Sequence, residues 1–250
     1  MAKDADRPPE ALLCEDCGYP LSGLDPTGAC PECGRLIDAS LPKHRAGPAW
    51  LDRPSLWYWL EYARGALWTT AADRRSIRID ESAARRLLTM NVRLATAPPA
   101  LAGLLWLAWR WFVVPPTTSG ALDRRSIGLL ALPLVVLLVA PTLRLLTLIE
   151  RRGIRFFGAR HGWRISREVA WSVCAHASVA WVVATMLATL ALLSGPIAAR
   201  LASGGGSLTL AYWAPIGLAP IAFGIGMVWF ECLVFMGVRS CRFANRPDAR

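Results

Sequence analysis

The chain has 250 residues, of which 54% are hydrophobic and 18% charged, with a formal net charge of +10. A mean hydropathy of +0.35 exceeds what soluble domains ordinarily carry and argues against a wholly soluble protein. The charge is concentrated between long apolar runs, as in chains that cross a lipid bilayer repeatedly.

Residues 1–13 include Lys3, Asp4, Asp6, Arg7, Pro8 and Pro9 and have no continuous apolar stretch, so they do not read as a secretory signal. The segment is expected to stay in the reducing cytoplasm. Cys14, Cys17, Cys30 and Cys33 then form two C-x2-C pairs, each followed by glycine, Gly18 and Gly34. Glycine accepts the positive φ that lets a tight turn aim two thiolates and nearby N–H groups at one ion. Four thiolates complete a tetrahedral zinc ion and leave no open position, so the site is expected to be structural rather than catalytic. Disulfides would need an oxidising compartment, and redox use of C-x-x-C ordinarily accompanies a βαβ pattern that is missing here. Iron held as in rubredoxins is the remaining reading; the gap between the pairs is short for that family.

Residues 14–34, from Cys14-Glu15-Asp16-Cys17-Gly18 through Cys30-Pro31-Glu32-Cys33-Gly34, resemble the zinc ribbon at the start of many bacterial multi-pass membrane proteins of undefined function. The resemblance implies an architecture and no activity. The later helices are distantly similar in layout to Yip1-type membrane domains.

The ribbon is acidic: Glu10, Glu15, Asp16, Asp25, Glu32 and Asp38 stand against Arg35 alone between residues 10 and 40. Nucleic acid binding needs basic side chains on phosphates, so it is not expected of this ribbon. From Lys43 to Arg93 the balance reverses. There Leu56, Trp59, Leu60, Ala63 and Leu67 share one helical face, as in a helix lying in the membrane interface. Asp80 is placed to cap a second helix with Ala84, Leu87, Leu88 and Leu94 on one side and Arg85, Arg86 and Arg93 towards anionic headgroups.

Four apolar runs reach the roughly 20 residues that a bilayer crossing requires. They cover about 95–114, ending at Pro115-Pro116, then 127–149, 169–193 and 211–238, the last tilting or breaking near Pro215 and Pro220. Of the 28 Lys and Arg residues, 23 lie in 1–94, 150–168 and the tail after Val238, and three in the alternate connections. Cytoplasmic loops retain positive charge, so an even number of spans with both termini cytoplasmic is expected. The fold class is therefore an all-α polytopic membrane protein of bacterial plasma (inner) membrane type. Its parts are a zinc ribbon (1–42), a basic juxtamembrane region (43–94), a four-helix transmembrane domain (95–238) and a basic tail (239–250).

His176 and Glu231 are the strongly polar groups placed deep in the expected spans, where an ionisable side chain is a functional candidate. Helices three and four are expected to pack through the stripes Ala180, Ala184, Ala188 and Gly217, Gly224, with His176 and Glu231 hydrogen-bonded across the seam. No nucleophile motif or glycine-rich phosphate loop supports an enzyme. The expected role is a membrane adaptor or organiser whose ribbon engages a cytoplasmic protein while basic helices touch anionic lipid. The alternative is a small transporter or channel using His176 and Glu231.

Overall fold

A computed structural model describes residues 11–68, 74–112, 124–202 and 208–245, with side chains at 109–111, 124–136, 195–202 and 208–216 left out. The described elements are helical and contain no β-strand. Single-turn helices at Asp38–Ser40, Pro42–His44 and Ala49–Leu51 lead into α1 (Leu56–Leu67). Helices α2 (Glu81–Phe112), α3 (Arg124–Arg160), α4 (Arg167–Ala177), α5 (Val179–Ala202) and α6 (Leu208–Cys241) follow.

Local chemistry explains the starts. Ser55 caps α1 by accepting the Tyr58 N–H at 3.3 Å. Asp80 caps α2, its Oδ1 accepting the N–H groups of Ser82 at 2.8 Å and Ala83 at 3.2 Å, as its position in the sequence suggests. Two boundaries differ from expectation. The capped juxtamembrane helix and the first apolar run form one helix, α2, which continues through Pro98 and Pro99. Likewise α3 carries the second apolar run straight into Arg151, Arg152, Arg155 and Arg160, so these arginines are helical. Neither junction supplies a cap, Pro98 and Pro99 are absorbed within α2 without ending it, and hydropathy alone does not end a helix. In contrast, the third run is interrupted: α4 ends at Ala177 and α5 begins at Val179, with the buried Ser178 hydroxyl accepting a 2.9 Å hydrogen bond from Asn91 Nδ2. Helix α6 is continuous across Pro215 and Pro220.

Two helical stretches are long and apolar enough to cross a membrane, Arg167–Ser194 and Gly217–Cys241, against the four expected. The remaining two apolar runs, 95–114 and 127–149, extend onto residues and side chains outside those described.

The chain divides into two compact units, each built from separated stretches. The first combines 1–88, 148–177 and 232–250; the second combines 89–147 and 178–231. In the second unit the core is aromatic. Trp181 stacks on Phe230 at 4.3 Å and on Phe223 at 6.1 Å, and its Nε1 donates to Thr147 Oγ1 at 3.0 Å. Close approach of α5 and α6 occurs where Gly226 faces Ala184, with no room for a side chain at that glycine. The expected partner glycines Gly217 and Gly224 instead face open space. The reason is register: Gly226, Phe230 and Leu233 share the buried face of α6, whereas Leu218, Ile221, Ile225 and Val228 form an exposed one, Val228 being 64% exposed.

In the first unit α1 buries Trp59, Tyr62 and Ala63 and exposes Leu56, Trp57, Leu60 and Trp68. The stripe of Leu56, Trp59, Leu60 and Ala63 expected from the sequence is only partly buried: Leu56 and Leu60 form its exposed flank, with Trp57 further round the helix. The Trp171 ring is flanked by the guanidinium groups of Arg151 at 3.9 Å and Arg85 at 4.7 Å.

Candidate metal centre

The ribbon consists of two copies of one turn. In the first, Gly18 N–H donates to the Cys14 carbonyl at 2.8 Å and Cys14 N–H to the Tyr19 carbonyl at 2.8 Å; an antiparallel bridge joins Leu13 and Pro20. In the second, Gly34 donates to Cys30 at 2.9 Å and Cys30 to Arg35 at 2.7 Å, with a bridge between Ala29 and Leu36. Gly18 and Gly34 hold φ of 81° and 71°, the left-handed region where a side chain would be strained. At Gly18 a Cβ would also come within 2.8 Å of the Phe243 ring. Leu21 and Ile37 occupy matching positions after the turns and pack with Cys14 and Cys30 in one small core.

The turns bring the four sulfurs of Cys14, Cys17, Cys30 and Cys33 within 4.8 Å of one another. Cys14 and Cys33 are 3.4 Å apart and Cys17 and Cys30 3.6 Å, too far for disulfides, and all four are free thiols. A tetrahedron with Zn–S bonds of about 2.3 Å has sulfur–sulfur edges of roughly 3.8 Å, so the observed cage fits such an ion. Four near-coordinated cysteines can thus hold a metal ion such as zinc.

The thiols of the cage differ in how readily they ionise. Burial raises the Cys17 thiol strongly, and hydrogen bonds with Cys30, Cys14 and Cys33 raise it further against the Tyr19 N–H. Burial also opposes ionisation of Cys30, yet the N–H groups of Cys33 and Glu32 and its thiol neighbours overcome it and bring that group down to about 7. Sulfurs that receive backbone N–H groups while competing for protons present the electron-rich set that a thiophilic cation selects.

Several residues outside the cysteine pattern hold this module in place. Glu15, between the first two cysteines, forms a 2.7 Å ion pair with Arg45, whose Nη1 also donates to the Ile77 carbonyl at 3.2 Å. Asn245, fully buried, donates through Nδ2 to the carbonyls of Leu13 at 2.7 Å and Ser40 at 2.8 Å and accepts the Leu13 N–H at 3.0 Å. Arg164 donates to the Ala11 carbonyl at 2.8 Å and to Asn245 Oδ1 at 2.9 Å. Sequence reasoning treated Arg164 and the tail only as positive charge. A lone asparagine among basic residues carries no spacing signal, so its role becomes visible only in three dimensions.

Of the ribbon's acidic groups, Glu15 is buried against Arg45, Asp16 pairs with Arg35 at 2.9 Å and Arg75 at 3.1 Å, and Asp38 pairs with Lys43 and His44. Those two bases hold the Asp38 carboxyl below its ordinary range. Asp25 and Glu32 are exposed, as are Leu24 and Leu36, the latter 61%. The outward face of the ribbon is therefore less acidic than a residue count implies and partly apolar.

The second pair of candidate residues is placed differently. His176 lies near the end of α4 in the first unit; its Nδ1 faces the Ser172 carbonyl at 2.7 Å, which puts the proton on Nδ1. Its Nε2 is buried and makes no hydrogen bond, and its ring lies edge-on to Tyr62 at 5.9 Å. Glu231 is an exposed residue of α6 assigned to the second unit. The two residues of the expected pair therefore fall in different units.

No protein-family model, curated protein or solved structure matches the chain.

Proposed function

We propose that the protein is an integral membrane adaptor or organiser whose cytoplasmic zinc ribbon engages a protein partner. The observation that carries this reading is the four-thiol cage, closed by its own ligands and leaving no position for substrate, in a chain that also holds two helices able to cross a bilayer. The exposed Leu218, Ile221, Ile225 and Val228 support membrane burial, because soluble proteins seldom leave such a continuous apolar stripe uncovered. The proposed topology is four spans in a bacterial plasma membrane with both termini cytoplasmic, in line with the distribution of Lys and Arg. The partner surface is the exposed side of the ribbon, with Leu24, Leu36, Asp25 and Glu32. Anionic headgroups are the proposed partner of α1 through Trp57, Leu60 and Trp68 with Arg64 beside them.

Crosslinking and affinity capture from native membranes, comparing wild type with Cys30→Ser, tests the proposal. A protein retained by wild type and lost from the variant is expected; identical sets of retained proteins would refute it.

A transporter reading draws on one observation. His176, whose buried Nε2 makes no hydrogen bond, is among the residues lining a cavity of about 240 Å³, with Tyr62, Arg74, Ser76 and Gly237. In that reading solute flux in reconstituted vesicles survives removal of the ribbon and is lost in His176→Leu and Glu231→Gln.

A further inference from the structure

Four arginines, Arg74, Arg75, Arg239 and Arg242, line a second cavity of about 390 Å³ in the first unit. They come from the segment before α2 and from the end of α6 with the residue after it. Glu15 and Asp16 also belong to its wall, but their charge is met largely by residues that are not part of it. Glu15 is paired with Arg45 at 2.7 Å, and Asp16 with Arg35 at 2.9 Å as well as with Arg75 at 3.1 Å. Arg239 lies 5.7 Å from the Phe235 ring and Arg242 donates to the Asp16 carbonyl; neither meets a carboxylate among the described residues. Arg239 and Arg242 thus bring guanidinium charge to the cavity that its two carboxylates do not take up, held by aromatic and backbone contacts. Its volume is an order of magnitude above the roughly 30 Å³ that one water occupies in the liquid.

Planar guanidinium forks match the oxygen spacing of phosphate, and several of them lining one half-open cavity fit a compact dianion better than an extended polyanion. Ser240 adds a hydroxyl to the same wall. We propose that this cavity is a binding site for a phosphate monoester, walled on one side by the first cysteine turn. The site is independent of the number of helices that cross the membrane and of any ribbon partner.

The test uses the full chain in detergent. Inorganic phosphate is titrated calorimetrically, and in a parallel arm the protein is floated with phosphatidylcholine vesicles with and without phosphatidic acid. Wild type should bind with saturation, and Arg239→Gln and Arg75→Gln should each weaken binding by about tenfold or more, as expected for losing one charge-assisted hydrogen bond. Arg86→Gln, an exposed arginine outside the cavity, should leave affinity unchanged. Saturable binding of free phosphate that competes with the vesicles identifies a soluble phosphate as sufficient; binding confined to phosphatidic acid and lost in the same variants identifies a lipid headgroup. No saturable binding in either arm, or equal weakening by Arg86→Gln, overturns the proposal.

Discussion

Glu15 Oε1 accepts Arg45 Nε at 2.7 Å with the two side chains only 5% and 3% exposed, joining the turn between the first two cysteines to the chain that leads into α1. An ion pair this far from water is costly to break from one side, since the surviving charge is left without compensation.

Replacing Glu15 with alanine should therefore destabilise the first unit by about 3–5 kcal/mol, whereas Glu15→Ala combined with Arg45→Met should cost clearly less. Thermal denaturation of the single and double variants checks this. A double variant no more stable than the single one would remove the buried charge as the cause.

The cysteine cage should bind close to one zinc ion per chain by elemental analysis of protein purified without added metal, and Cys30→Ser should lose it. Because coordination displaces protons from thiols, affinity should fall as pH drops below neutrality. Retention of metal by Cys30→Ser would show that the four sulfurs do not act together.

Gly18 and Gly34 hold the same strained φ but have different surroundings. Gly34→Ala should cost about 1–2 kcal/mol, the left-handed penalty alone. Gly18→Ala adds a collision with the Phe243 ring and should destabilise more. Chemical denaturation followed by tryptophan fluorescence distinguishes the two.

Asp80 provides a pH-dependent prediction. Burial pushes its carboxyl up, but the Ser82 hydroxyl and the N–H groups of Ala83 and Ser82 outweigh that and hold it below the ordinary value. A carboxyl depressed on folding stabilises fully above its unfolded range and loses the contribution as pH falls through the folded value. Asp80→Asn should keep most of the cap and flatten this acid dependence, while Asp80→Ala should cost about 1 kcal/mol at neutral pH. Denaturation midpoints between neutral and acidic pH are the measurement.

Gly226→Leu should disrupt the approach of α5 and α6, whereas Gly224→Leu, in open space, should be tolerated. Thermal stability in detergent separates these outcomes.

The clustering of the four cysteines was legible because its information is local: two matching turns, each with cysteines and glycine at fixed spacing, specify their own geometry. The Asp80 cap was readable for the same reason. The helix seam was misread because small residues recur on every face of α6, and only packing decides that Gly226, not Gly217 or Gly224, meets Ala184. Counting charges likewise overstated the acidity of the ribbon, since Glu15, Asp16 and Asp38 are paired with Arg45, with Arg35 and Arg75, and with Lys43 and His44.

Asn245 closes hydrogen bonds with Leu13 and Ser40, so the segment that carries the first cysteine turn is completed by a residue 232 positions beyond Leu13. The two cysteine turns close on hydrogen bonds of their own, whereas their anchorage waits on the segment after α6.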